Sequence, residues 1–182
     1  MSKKSLLIPI LLIVVALAIV AVVLILALGG NGQPAISPED PLPVRFAQAV
    51  LLCDQDEIRA CVHEKMEEEF VNRYGANEVR FTACTASISQ ESALLRDGLE
   101  YYASGLNRDY GIQATLDSGC FYTVDFTATY NGKDYTGSMS VLTAEFDGAE
   151  YVISVELDRM EDAFYQDNFP AGDYYYDMFG EY

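Results

Sequence analysis

The sequence predicts an α+β fold, in which an N-terminal transmembrane helix is followed by helices packed on an antiparallel β-sheet. Residues 5–28 form an uncharged apolar run, and residues 42–74 repeat apolar side chains at helical spacing. Residues 113–130 alternate apolar and polar side chains and lead into Asn131-Gly132, the strongest short signal for a β-hairpin. These three patterns predict a membrane anchor, a helical region and a sheet, in that order.

The apolar run at residues 5–28 predicts a signal anchor. As a helix of 24 residues it would extend about 36 Å, enough to cross a hydrocarbon core of ~30 Å. Lys3 and Lys4 precede it, and no basic residue follows before Arg45. Because positive charge stays on the cytoplasmic side, residues 1–4 are expected to be cytoplasmic. The chain is therefore expected to cross the cell membrane once, with an extracellular C-terminal domain.

A cleaved signal peptide is the alternative interpretation of residues 5–28. The apolar regions of signal peptides are shorter, about 7–15 residues, and Ala27-Leu28-Gly29 matches a cleavage site poorly. An uncleaved anchor is therefore favoured. Residues 29–40 are polar and rich in Gly and Pro, as expected of a linker.

The charge of the exported part excludes one class of function. All 28 acidic residues and nine of the 11 basic residues follow residue 38, which gives 9 − 28 = −19. Such a charge repels nucleic acid and keeps an exposed domain soluble. A nucleic-acid partner is therefore not expected.

Two helices are predicted before the first strand. Pro41 is placed at the first position of one helix, and Asp54 with Glu57 resembles a capping box that begins a second helix, which Gly75 ends. The apolar face of the first contains Leu42, Phe46, Val50 and Cys53, and that of the second contains Ile58, Cys61 or Val62, Met66, Phe70 and Tyr74.

Residues 78–89 are predicted to form a strand because they are rich in β-branched and aromatic side chains. Its inward face is left open between two sets: Val79, Phe81 and Ala83, or Cys84, Ala86 and Ile88. Ser89 is then expected to cap a third helix, with Leu95, Leu99, Tyr102 and Leu106 along one side.

Residues 113–157 are predicted to form a three-strand antiparallel meander. A two-residue turn at Asn131-Gly132 pairs Tyr130 with Lys133 and sets the register of the first two strands. At Asp147-Gly148 a two-residue turn would place Ile153 on the wrong face, so a three-residue loop with a bulge is expected there.

The helical corner "VRFAQAVLLCDQDEIRACV" and the final hairpin "FDGAEYVISV" resemble the nuclear transport factor 2-like (cystatin-like) superfamily. The resemblance covers residues 42–157, within an extracellular domain assigned to 41–157. Within the superfamily, the chain most resembles membrane-anchored members on the surface of Gram-positive bacteria, most of which have no assigned activity. It implies a curved sheet wrapped around helices, often with a pocket between the two layers.

The predicted inner face of the sheet contains aromatic side chains but no acid or base. Asp125 has the opposite strand parity, and His63 lies off the apolar stripe of the second helix. No catalytic residue is therefore assigned. Core packing and an apolar pocket both remain open for the inward set, which is Tyr122, Phe126, Tyr130, Tyr135, Met139 and Tyr151.

The four cysteines Cys53, Cys61, Cys84 and Cys120 are expected to form two disulfides, as an even number in an exported domain usually does. Cys53–Cys61 with Cys84–Cys120 is the favoured pairing, and Cys61–Cys84 with Cys53–Cys120 is the main alternative. A metal site is not expected, because Cys61 and His63 lie ~200° apart around a helix.

Residues 158–182 are predicted to form an acidic, tyrosine-rich tail, helical as far as about Gln166. Its aromatic side chains could dock on an envelope protein, or the tail could be a solvated terminus. The residues concerned are Tyr174, Tyr175, Tyr176 and Phe179.

These observations favour a non-catalytic extracellular binding module without a cofactor. A structural subunit of a cell-envelope complex is one alternative. A small pocket enzyme of isomerase or hydratase type is the other, and it would require an acidic or basic side chain in a cavity.

Overall fold

The computed structural model describes residues 36–76 and 79–169. The expected anchor at 5–28, most of the 29–40 linker and the aromatic residues of the expected tail lie outside these ranges. Within them, no helix has both the length and the apolar character needed to cross a membrane.

The described residues confirm the α+β class. The elements are, in order, α1 (Leu42–Leu52), α2 (Gln55–Cys61), α3 (Glu67–Tyr74), β1 (Ala83–Ala93), α4 (Arg96–Tyr110), β2 (Ser118–Tyr130), β3 (Lys133–Phe146), β4 (Ala149–Met160) and α5 (Asp162–Asn168). The four strands form one open antiparallel sheet in the order β1-β2-β3-β4.

The corner between α1 and α2 forms as predicted. Cys53 ends α1 in the left-handed conformation, with φ 53°. Asp54 then caps α2, and its carboxylate accepts the backbone N–H of Glu57 at 3.1 Å. A side-chain acceptor at this position satisfies a donor that the first turn of a helix leaves open.

The second predicted helix is wrong as a single element, because it divides into α2 and α3. The chain becomes extended at Val62, and Nδ1 of His63 accepts the N–H of Lys65 at 3.1 Å. This local hydrogen bond holds the chain out of the helix until Glu67. The predicted apolar stripe is nevertheless buried throughout: Ile58, Cys61, Val62, Met66, Phe70 and Tyr74.

The helix expected to begin at Ser89 is also wrong at its start. β1 continues to Ala93, and Ser89 lies at a bulge, where its hydroxyl donates to the carbonyl of Thr123 at 3.2 Å. α4 begins only at Arg96. Within β1, the set that faces the core is Cys84, Ala86 and Ile88, opposite Ala128, Phe126 and Val124. Phe81 of the other set precedes β1 and is also buried.

The β2–β3 hairpin confirms the predicted register. Asn131 and Gly132 both have positive φ, 52° and 78°, and Tyr130 pairs with Lys133. The pairing then places Tyr135 opposite Ala128, Met139 opposite Val124 and Val141 opposite Tyr122.

The three-residue loop predicted between β3 and β4 is wrong. Asp147 and Gly148 form a two-residue turn with φ 53° and 80°, and Phe146 pairs with Ala149. A two-residue turn alone would pair Ile153 with Leu142, on the wrong face of the sheet. A bulge in β4 prevents this, because it leaves Ile153 as an extra residue between Val152 and Ser154. Val155 then lies opposite Val141.

The core lies between one face of the sheet and the helices α1, α2 and α3, which we call the three N-terminal helices. α1 contacts all four strands. Phe46 of α1 is fully buried and makes edge contacts with Phe70 and Tyr74 of α3. The sheet contributes Val124 and Met139, which are likewise fully buried.

The boundary expected at residue 157 falls inside β4, so the first part of the expected tail belongs to the folded domain. β4 runs to Met160, and α5 follows. Phe164 of α5 is fully buried and packs on the rings of Phe81, Tyr130 and Tyr135. A C-terminal helix thus closes one end of the core.

Substitution of Gly137 tests how closely β3 is packed against Phe126 and the backbone of Arg159. A Cβ at this position would overlap the ring of Phe126 and lie 2.5 Å from the carbonyl oxygen of Arg159. We expect Gly137→Ala to lower the free energy of unfolding by about 1–3 kcal/mol, as overpacking of a filled site does. Urea denaturation followed by circular dichroism measures it.

Gly105→Ala is the matched control for this substitution. Gly105 lies inside α4, where an added Cβ meets nothing within 4 Å. We expect a gain of roughly 0.5–1 kcal/mol, because alanine is the better helix former. Equal effects of the two substitutions would contradict the packing described at Gly137.

The burial of Phe164 predicts that α5 stabilises the domain. Phe164→Ala should cost about 3–5 kcal/mol, the usual range for removing a fully buried aromatic ring. Gln166→Ala, at an exposed position of the same helix, should change stability little. If both variants melt like the parent chain, α5 does not dock on the core in solution.

Candidate functional site

The four cysteines all lie in the described part of the chain, and there each is a thiol. The favoured pairing is inconsistent with the register. Cys84 lies opposite Ala128, eight residues along β2 from Cys120, a separation of about 26 Å. Cys53 and Cys61 are held apart by α2, whose rise from its N-cap to Cys61 is about 10 Å, beyond the ~7 Å Cα limit for a disulfide.

The alternative pairing fails at one of its two bonds. The thiol of Cys53 lies 4.0 Å from the carbonyl oxygen of Val79, near the start of β1. Cys120 pairs with Ala93, at the other end of that strand. β1 is 11 residues long and spans about 33 Å between its ends, so Cys53 and Cys120 cannot meet.

Cys61 and Cys84 are poor nucleophiles. The pKa of each thiol is raised to about 12, at Cys84 by burial and at Cys61 by burial and, secondarily, by the nearby Glu57 carboxylate. The Cys61 thiol donates to Oε1 of Glu57 at 3.6 Å, and the same oxygen accepts from Nε of Arg45 at 2.7 Å. Because a thiolate is the reactive form, these two residues serve packing rather than chemistry.

The inward aromatic set predicted from the sequence does not meet in one place. Phe126, Tyr135 and Met139 are buried in the core, and Tyr122 and Tyr130 are half-buried beside it. Tyr151 pairs with Ala144, which places it on the other face of the sheet. There its ring contacts Phe146 and His63, with centroids 4.9 and 5.4 Å away.

A cavity lies on the face of the sheet opposite the buried side chains of Cys84, Val124 and Met139. Its volume is about 630 Å³, within the range of small-molecule sites. It is lined by hydroxyl side chains from three strands and by two charged residues, Asp125 and Arg159. The hydroxyl residues are Thr85, Ser87, Thr127, Thr136 and Ser138. We refer to these seven residues as the polar groove.

The strand register builds the polar groove. Ser87 pairs with Asp125, Asp125 with Ser138, and Ser138 with Arg159, so these four residues form one row across the whole sheet. Residues paired in this way share a face of the sheet. A neighbouring row is formed by Thr85, Thr127 and Thr136.

The groove side chains differ from the polar residues beside them. Outside the groove, the hydroxyls of Thr129 and Ser140 donate to Asp134 and Asp158, at 2.6 and 2.9 Å. Inside it, Thr136 donates to Glu161 at 2.7 Å. The other six groove side chains make no hydrogen bond or ion pair within the described residues: Thr85, Ser87, Asp125, Thr127, Ser138 and Arg159.

Sequence reasoning placed Asp125 on the solvent side of its strand, which is where it lies, but did not identify the groove. A usable signal was present. Three strand segments, "TAS" at 85–87, "DFT" at 125–127 and "TGS" at 136–138, carry polar residues at alternate positions. Only the pairing of the strands shows that these segments are neighbours.

Comparison of the chain with protein-family models, with curated proteins and with solved structures finds no match. The resemblance to the nuclear transport factor 2-like superfamily therefore stays a prediction. What the structure itself establishes is an α+β domain with a four-strand antiparallel sheet and a polar groove on its open face.

The thiol assignment predicts a specific alkylation pattern. Iodoacetamide added to the native chain without reductant should modify the half-exposed Cys120 and leave the buried Cys61 and Cys84 unmodified. Denaturation without reductant should then make Cys61 and Cys84 reactive. Peptide mass mapping reads both steps, and thiols that react only after reduction would show that the chain forms disulfides.

Proposed function

We propose that the chain is a membrane-anchored extracellular binding module whose ligand site is the polar groove. The observation that carries this proposal is the convergence, in one cavity of about 630 Å³, of six polar side chains that have no hydrogen bond or ion pair within residues 36–76 and 79–169. Polar groups on a folded surface usually bond to neighbours, water or a ligand. The apolar run at 5–28 and the lysines before it support the membrane-anchored, N-terminus-inside arrangement.

The composition of the groove favours binding over catalysis. Its lining holds one carboxylate, one guanidinium and five hydroxyls, and no histidine or cysteine. Asp125 is the sole lining group that could act as a general acid or base, and it is exposed to water.

The proposal is tested by ligand-observed NMR on the full-length chain in detergent. A library of amino acids, short peptides, monosaccharides and nucleosides covers the polar ligands that fit the cavity. We expect compounds that bind the parent chain to lose binding in Ser138→Tyr, because the larger side chain fills the groove.

Ser154→Tyr is the matched control. Ser154 is exposed on the same face of the sheet, opposite Leu142 and outside the groove. Its binding should equal that of the parent chain. If no compound binds, or if Ser138→Tyr binds every compound as well as Ser154→Tyr does, the groove is not the ligand site.

A further inference from the structure

Arg159 differs from the other cations of the described residues in having no partner. Arg45, Arg59, Arg96, Arg108 and Lys133 contact carboxylates, and Lys65 and Arg80 donate to backbone carbonyls. Arg73 lies over the ring of Tyr74. Arg159 makes none of these contacts and projects into the polar groove.

Asp125 lies in the same row as Arg159 but is not its ion-pair partner. The two residues are separated by β3, two strand spacings or about 10 Å between their Cα atoms. Within the described residues no ion pair joins them. Ser138 lies between them, and its half-buried side chain leaves the middle of the groove open.

We propose that the polar groove binds a zwitterion of the amino-acid or short-peptide class. The ligand carboxylate pairs with the Arg159 guanidinium, the ligand ammonium pairs with Asp125, and the groove hydroxyls bond to the backbone between them. This inference rests on the proposed function, since it names the ligand class of the same groove. The two opposite charges with a gap between them are the observation that carries it.

Charge complementarity favours a zwitterion over ligands with one kind of charge. An anion would meet Arg159 but also Asp125 and the field of a chain whose net charge is −17. A cation would leave Arg159 unpaired. An uncharged sugar would leave both charges unpaired. A guanidinium that binds a carboxylate in two-point geometry is among the stronger polar contacts.

The test compares four related probes on the full-length chain in detergent by NMR titration. The probes are dialanine, N-acetyl-dialanine, dialanine amide and alanine. Dialanine should bind, and removal of either charge by acetylation or amidation should weaken binding by about tenfold or more, because one charged pair is lost. Tighter binding of dialanine than of alanine identifies a peptide ligand, and equal binding identifies an amino acid.

Two variants assign the charges to their partners. Arg159→Gln should weaken binding of dialanine about tenfold and leave dialanine amide unchanged, because the amide has no carboxylate to lose. Asp125→Asn should weaken dialanine in the same way and leave N-acetyl-dialanine unchanged. Arg96→Gln, at an exposed position of α4, is the control and should bind all four probes like the parent chain.

The outcomes separate this inference from the proposed function. If neutral polar compounds bind the groove while dialanine and alanine do not, the zwitterion assignment is wrong and the groove remains a binding site. Equal affinity for dialanine and its amide would also overturn it. If no compound of the polar library binds, both proposals fail.

Discussion

The register of β4 against β3 determines which side chains of β4 lie on each face of the sheet. A two-residue turn alone would pair Leu142 with Ile153 and turn the apolar residues of β4 away from the helices. The bulge at Ile153 corrects this and returns Val155 to the core. A second shift, between Ser138 and Met139, then brings Arg159 rather than Asp158 opposite Ser138. The core and the charge of the groove thus depend on two extra residues in one edge strand.

The second shift has a direct electrostatic effect. Without it, Asp158 would take the position of Arg159, and the row across the sheet would contain two carboxylates and no cation. With it, Asp158 instead accepts the hydroxyl of Ser140 at 2.9 Å, outside the groove. β-Bulges often re-aim a side chain close to a functional site, and here the bulge changes the sign of a charge in the groove.

Features encoded by neighbouring residues were predictable from the sequence, and features set by distant pairing were not. The Asp54 cap and the Asn131-Gly132 turn each depend on a few adjacent residues, and both were predicted. The break after Cys61 depends on a hydrogen bond to the ring of His63, which no periodicity shows. The bulge at Ile153 arises because core packing and turn geometry conflict, and the sequence indicated the conflict but not where the chain relieves it. The groove was missed because its residues come from four strands.

The groove and the core use the two faces of the same strands. In β2, Asp125 and Thr127 face the groove, while Val124, Phe126 and Ala128 face the helices. The two sets of side chains alternate along the chain and point to opposite faces of the sheet, so most substitutions in one set leave the packing of the other in place. Under the proposed function, exchange of surface residues alone would therefore change ligand preference, with the buried scaffold under separate selection for stability.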